Sequence, residues 1–196
     1  MRHRDEQIVM IKRTLDLIIA VSAAVIFAVP YIVIMAGVRL SSPGPAIYWS
    51  RRAGRQGQFF MMPKFRSMRI DTPEVATDKL GDANGYITPF GSFLRRTSLD
   101  ELPQIYSVLR GDMSIVGPRP ALHNQHELIA QRAALGIDQL RPGVTGWAQI
   151  NGRDEIALKD KLQFDGEYLA RQSLFFDLKI ILLTVVAVVR SRGVSH

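Results

Sequence analysis

Residues Leu17 to Val38 form an apolar run broken only by Ser22, Pro30, Tyr31 and Gly37, with Lys or Arg on both sides of it. Its 22 residues are long enough, as a helix, to cross a bilayer. A cleaved leader is disfavoured: the run is long for such a segment, and Arg39 follows where small cleavage-site residues would stand. Basic flanks on both sides mean that neither end is readily exported. Pro30 removes one backbone hydrogen bond and collides with the carbonyl of Ile26, so a kink is expected there. A helix that enters, bends near Pro30 and returns to the face it left accounts for the flanks and the proline. A spanning helix accounts only for the length. Re-entry is the expected topology.

Charge sharpens this reading. The formal net charge is +7. Between Leu17 and Ile70 there is no Asp or Glu, yet Arg39, Arg51, Arg52, Arg55, Lys64, Arg66 and Arg69 all fall there. Acids and bases balance over the rest of the chain, so this stretch carries the whole surplus. A local basic surplus suits anionic lipid, nucleic acid or phosphorylated substrates. Its position beside the apolar run argues for lipid. The absence of cysteine excludes disulfides and thiolate metal sites and suits a cytosol-facing protein.

Past a Ser41-Ser42-Pro43-Gly44-Pro45 hinge, Ala46 to Met68 reads as strand, turn and strand. Alternation places Lys64, Arg66 and Met68 on one face of the second strand, where two cations could clasp a diphosphate. Residues 71 to 91 read as a polar surface loop. Asp112 to Val116 leads into Gly117-Pro118-Arg119-Pro120, a turn stiffened by two fixed φ angles, and a guanidinium held there loses little freedom on binding an anion. A helix is expected from His123 to Leu135, a Gly/Pro-rich binding loop from Arg141 to Arg153, and further helix from Ile156 to Arg190. His123 and His126 lack a third nitrogen or sulfur ligand nearby and read as polar residues, not a metal site. The apolar stretch Ile180 to Val189 is too short to span a bilayer and suits a core or interfacial helix. The fold class expected is mixed α/β, mainly helical. A re-entrant membrane helix over residues 1–40 would precede a compact cytosolic catalytic domain over 41–196 that carries interfacial helices.

The chemistry centres on Ser98-Leu99-Asp100-Glu101-Leu102-Pro103-Gln104, which follows Arg95 and Arg96. Ser98 and Glu101 have capping-box spacing, Leu102, Ile105 and Leu109 recur at helical spacing, and Gly111 ends the pattern. Pro103 fits only near a first turn. Asp100 and Glu101 would then sit at the positive end of a helix, a place that favours anions. Acids there also serve as plain caps, so position alone does not separate the readings. Hard oxygen donors without Cys or clustered His suit Mg²⁺ rather than zinc. A carboxylate pair with Mg²⁺ among guanidinium groups suits phosphoryl chemistry, and there is no Walker-type or kinase glycine loop.

Several motifs in fixed order resemble one family. They are Lys12-Arg13-Thr14-Leu15-Asp16, Lys64-Phe65-Arg66-Ser67-Met68, the dyad segment, Gly111-Asp112-Met113-Ser114, Val116-Gly117-Pro118-Arg119-Pro120 and Arg141-Pro142-Gly143-Val144-Thr145-Gly146-Trp147. Phe176-Asp177-Leu178-Lys179-Ile180 and Gly193-Val194-Ser195-His196 close the series. From Lys12 to the last residue the chain resembles the bacterial sugar transferases, the small monotopic phosphoglycosyl transferases. The resemblance implies transfer of a sugar 1-phosphate from a UDP-sugar to undecaprenyl phosphate, with release of UMP, as the first membrane step of glycan biosynthesis. It also implies an inner-membrane location with the catalytic domain on the cytosolic face. Asp100 matches the family's nucleophile, which forms a covalent phosphosugar intermediate, and Glu101 matches the carboxylate that helps hold Mg²⁺. Asp177 matches a further essential carboxylate. Lys64, Arg66, Arg95, Arg119 and Arg153 match positions expected to contact phosphates or the nucleotide. The expected donor carries an N-acetylated hexosamine-type sugar, with UDP-glucose or UDP-galactose as the alternative. A non-catalytic basic module for lipid or nucleic acid leaves the carboxylates without a purpose, so no nucleic-acid partner is expected. Whether the chain forms a homodimer stays open. The family's Ser-Pro at the helix break is Val29-Pro30 in this chain. The proline kink is therefore expected, without serine assistance at that position.

Overall fold

The computed structural model describes residues 2–73, 83–152 and 156–190. Arg153, the closing residues 193–196 and part of the polar loop expected at 71–91 lie outside them.

The apolar run forms two helices, α1 (Arg2–Ile26) and α2 (Ala28–Ser41), which meet at Phe27. The break at Phe27 directly follows Ile26, the residue whose carbonyl Pro30 cannot serve, and the two arms differ in direction by 63°. Among the described residues no single helix is long and apolar enough to cross a membrane, whereas this bent pair qualifies by length and composition. Around the bend Val25, Ile26, Val29, Ile32 and Val33 are all exposed.

The expected hairpin is present. Strands β1 (Ile47–Ala53) and β2 (Phe59–Phe65) pair antiparallel, with Ile47 opposite Phe65 and Ala53 opposite Phe59. The turn at Arg55–Gly57 places Gln56 and Gly57 at positive φ. Along β2, Phe60 and Met62 are buried while Phe59 and Met61 are exposed. The period of two thus carries Lys64 inward with Phe60 and Met62. Each such buried side chain contributes roughly 1.5–3 kcal/mol. Phe60 and Met62 meet Ala20 of α1 and, beyond it, Val108 and Met113.

After β2 come α3 (Ala83–Tyr86), α4 (Pro89–Thr97), a 3-10 turn at Leu99–Glu101 and α5 (Gln104–Arg110). The single helix start expected at Ser98 is not what forms. Thr88 caps α4, its Oγ1 accepting from the Gly91 N–H at 2.9 Å, with Pro89 in the first turn. Ser98 then ends α4 in the left-handed region, at φ 57°, and caps nothing with its side chain. α5 starts behind Pro103 and stops at Gly111, φ 97°. The dyad therefore sits in a tight turn between two helices.

The remainder is β3 (Ser114–Val116), α6 (His126–Ala134), β4 (Gly143–Thr145), α7 (Trp147–Gly152), α8 (Leu158–Arg171) and α9 (Leu174–Arg190). β3 and β4 pair in parallel, Ser114 beside Gly143 and Val116 beside Thr145. Their close approach needs glycine: a Cβ on Gly143 would lie 2.1 Å from the nitrogen of Gly117. Val116, Tyr168, Phe176 and Ile180 form one core cluster, and Ala121, Leu128, Ile137 and Leu162 another. The mixed, mainly helical class is the one expected, and the final helical region consists of α8 and α9.

α1 is fastened to the rest of the chain by successive polar side chains. Lys12 Nζ donates to Asp177 Oδ2 at 2.6 Å. Arg13 donates to the Val108 and Leu109 carbonyls at 2.8 and 3.1 Å, satisfying the last turn of α5. Asp16 accepts from the Ser114 hydroxyl and from the Ile115 N–H at 2.9 Å. Past these contacts Ile18, Val21, Val25 and Ile26 of α1 are exposed.

Candidate active site

The turn Leu99–Glu101 presents the two carboxylates differently. Asp100 is buried, 8% exposed, and no hydrogen bond among the described residues reaches its carboxylate. Glu101 Oε1 accepts from Lys64 Nζ at 2.8 Å and from Arg119 Nη2 at 3.0 Å. Lys64 reaches it from the inward face of β2, and Arg119 from the double-proline turn after β3. The third cation near Asp100 is Arg95, in the last turn of α4, whose Nη1 also lies 3.6 Å from Met68 Sδ.

Electrostatics separates the pair. Burial pushes the Asp100 carboxyl above its ordinary value, and the Glu101 charge adds to this, while Lys64, Arg95 and Arg119 oppose it. Burial alone would raise Glu101 as well. There Arg119 and Lys64 win, by charge and by direct hydrogen bonds, and hold that carboxyl far below the usual range. The positive helix end expected to favour an anion at Asp100 does not form, and among the protein side chains alone burial outweighs the nearby cations. Asp100 lies in a 3-10 turn and not at the start of an α-helix, and the direct hydrogen bonds from Lys64 and Arg119 go to Glu101.

The donor set is compatible with Mg²⁺. Among the described residues no three His, Asp or Glu gather to form a metal cage. Mg²⁺ is commonly bound by one or two carboxylates together with substrate phosphates and water. Asp100 and the second oxygen of Glu101, which no hydrogen bond among the described residues uses, meet that need.

The remaining expected site residues go elsewhere. Arg66, 7% exposed, is not gathered at the dyad: it donates to the Pro43 carbonyl at 2.6 Å and to the Ser42 carbonyl at 2.8 Å. β2 ends at Phe65, so the alternation that aims Lys64 inward does not extend to Arg66. Asp177 is 2% exposed and has both oxygens engaged, Oδ2 by Lys12 and Oδ1 by the Tyr168 hydroxyl at 2.7 Å. No hydrogen bond or ion pair among the described residues joins Asp177 to Asp100 or Glu101. Burial and the adjacent Asp177 charge push the Tyr168 phenol well above its ordinary value, so it acts as a donor.

Sequence reasoning gave no role to Arg132. Its guanidinium is buried against Asp165 and donates to the backbone of Arg119. An isolated arginine in an amphipathic helix reads as solvent-facing. The cue in the sequence is Asp165, an acid on the buried side of α8 next to Leu162 and Tyr168 in the helical period.

Comparison with known proteins places this geometry in context. The family model described as bacterial sugar transferase matches residues 7–191. The chain is 46% identical over 193 residues to the UDP-glucose:undecaprenyl-phosphate glucose-1-phosphate transferase of Xanthomonas campestris pv. campestris, covering 94% of this chain and 40% of that protein. It is 38% identical over 200 residues to the exopolysaccharide production protein ExoY of Rhizobium meliloti, covering 94% of this chain and 88% of the relative. The undecaprenyl-phosphate galactose phosphotransferase of Salmonella typhimurium is 35% identical, covering 93% of this chain and 41% of that protein. The chain thus spans about two fifths of the first and last of these relatives and most of the second.

Proposed function

The chain belongs to the bacterial sugar transferase family, and from that premise we propose that it transfers a hexose 1-phosphate from a UDP-sugar to undecaprenyl phosphate, releasing UMP. The observation that carries the reading is the Asp100–Glu101 turn faced by Lys64, Arg95 and Arg119. The relatives' names favour glucose or galactose as the sugar over the N-acetylated hexosamine type expected from the sequence.

A desolvated carboxylate is a stronger nucleophile than a hydrated one, provided that it is ionised when substrate is bound. In the first displacement an Asp100 oxygen attacks the sugar-bearing phosphorus. The bond from that phosphorus to the bridging oxygen breaks, and UMP leaves with the electron pair. In the second, an oxygen of undecaprenyl phosphate attacks the same phosphorus and the bond to Asp100 breaks, restoring the carboxylate. Lys64, Arg95 and Arg119 offset the charge gathered when anionic reactants approach an anionic side chain. Lys64 and Arg119, by pairing with Glu101, offset part of its repulsion as well. Mg²⁺ held by Asp100 and Glu101 would supply Lewis-acid stabilisation of the phosphate oxygens.

The topology proposed is re-entrant, with the catalytic part on the cytosolic face. Both arms of the bent pair dock on one body: Lys12, Arg13 and Asp16 tie down α1, while Ile34 and Val38 of α2 pack with Phe65 and Leu94. Ends held on one body lie on one side of a membrane that takes up the exposed apolar bend.

The test is a panel of UDP-sugars offered to the detergent-purified protein with undecaprenyl phosphate and Mg²⁺, scored by UMP release. Release from UDP-glucose or UDP-galactose supports the reading, release only from N-acetylated hexosamine donors overturns the sugar assignment, and release from none overturns the activity.

A further inference from the structure

Arg119 reaches Glu101 from a segment whose backbone cannot be held in the usual way. Pro118 and Pro120 carry no N–H, so on both sides of Arg119 the main chain is fixed through its carbonyls. Each of these carbonyls meets a donor from a different element. Pro118 O accepts from the Gly143 N–H at 2.9 Å, Arg119 O from Arg132 Nη1 at 2.8 Å, and Pro120 O from Arg52 Nη1 at 3.2 Å.

The bond to Arg119 itself comes from a built device. Arg132 is 7% exposed and Asp165 is 1% exposed. Arg132 Nε and Nη2 lie 3.0 and 2.6 Å from Asp165 Oδ2. Two donors of a planar guanidinium held on one carboxylate fix its plane, and the remaining nitrogen then points at Arg119 O. A buried ion pair is an unpromising way to hold α6 against α8, because an apolar pair of similar volume does as well or better. An apolar pair cannot donate a hydrogen bond to a carbonyl.

We propose that Arg132 and Asp165 are positioning residues for the transfer reaction: through the Arg119 carbonyl they set the direction from which the Arg119 guanidinium meets Glu101 and the diphosphate of the donor. The part concerning the diphosphate rests on the proposed function; the part concerning the loop rests on the hydrogen bonds alone.

Three variants test it: Arg132→Lys, which keeps the charge but not the fork; Arg132→Met with Asp165→Leu, which removes both charges together and so leaves no buried ion unpaired; and Arg119→Ala as the background for each. UMP release and amide hydrogen exchange over residues 116–123 are measured, with thermal midpoints as the fold control. Arg132→Lys is expected to lower kcat/KM by about 10–100-fold, the cost of a small misplacement of a reacting group. Exchange in the segment should rise by on the order of tenfold, as expected for the loss of one hydrogen bond. In the Arg119→Ala background the same change should alter kcat/KM by less than about twofold, because a residue acting through Arg119 has nothing left to act on. Equal losses in both backgrounds, or wild-type turnover in the folded Met/Leu variant, would overturn the proposal. Should the wild type release no UMP from any donor, the functional reading fails. The exchange measurement still decides the loop: faster exchange confined to 116–123 supports the clamp, and unchanged exchange overturns it.

Discussion

Lys12 Nζ lies 2.6 Å from Asp177 Oδ2 although 165 positions separate them. The pair joins the last polar turns of α1 to the first turn of α9, and the Tyr168 hydroxyl closes the group by donating to Asp177 Oδ1. Lys12 also donates to Val116 O at 3.1 Å, so the same ammonium touches the strand that leads into the Arg119 segment. The apolar arm is thereby registered against β3, α9 and the Arg119 segment.

Breaking that pair should be costly. Lys12→Met leaves the Asp177 charge buried and is expected to destabilise the fold by about 3–5 kcal/mol, measured by denaturant unfolding in detergent. Lys12→Met combined with Asp177→Leu should recover most of the loss. Equal stability of Lys12→Met and wild type would show that the pair does not hold the arm.

Asp100→Asn should abolish UMP release and at the same time raise the thermal midpoint of the metal-free protein. Burial raises the folded-state pKa of Asp100, so its ionised form costs stability. The gain over wild type should be complete above the folded-state pKa and shrink as the pH falls through it, because the wild type then takes up the proton. Thermal scans in chelator across the acid range read this directly. A variant that keeps full activity would rule out attack by Asp100.

Glu101→Gln should move stability the other way. Lys64 and Arg119 depress the folded-state pKa of Glu101, so its contribution is present above the ordinary carboxylate value and is lost as the pH falls from there toward the folded-state pKa. Near neutral pH the substitution is expected to cost on the order of 1–3 kcal/mol, with the difference from wild type closing in acid. Denaturant titrations at neutral and acid pH measure it, and a difference that does not change with pH would contradict the ion pairing.

Pro30→Ala restores an N–H that can serve the Ile26 carbonyl and should lessen the bend between α1 and α2. The natural absence of cysteine makes the readout clean. With single cysteines at Gln7 and Gln172, both sites should be protected from external reagents in intact cells for the wild type. Exposure of one site in the wild type itself would refute re-entry, and exposure of Gln7→Cys in the Pro30→Ala background alone would assign the topology to the proline.

Gly143→Ala should weaken the β3–β4 contact, because its Cβ would meet the Gly117 backbone at 2.1 Å and backbone cannot swing aside. A loss of roughly 1–3 kcal/mol is expected, with a fall in UMP release from the shifted Arg119 segment. Wild-type stability and turnover in this variant would show that the two strands have room to spare.

Features set within a few residues were legible in the sequence alone. The hairpin around Gly54–Gly57, the break near Pro30, the stop at Gly111 and the rigid turn around Arg119 each follow from local dihedral preference or a hydrophobic period. The adjacency of Asp100 and Glu101 among basic residues was equally visible. Tertiary packing decided the rest. Ser98 suits the start of one helix as well as the end of another, and α4, capped at Thr88, took the second choice. Arg66 and Lys64 look alike in the strand pattern, yet Lys64 meets Glu101 and Arg66 meets the Ser42–Pro43 backbone. Asp100 and Glu101 are neighbours with opposite pKa shifts, because hydrogen bonds from Lys64 and Arg119, 37 and 18 positions away, end on Glu101. Desolvation and ion pairing depend on what the folded chain brings within about 4 Å, and that distance has no counterpart in the order of residues.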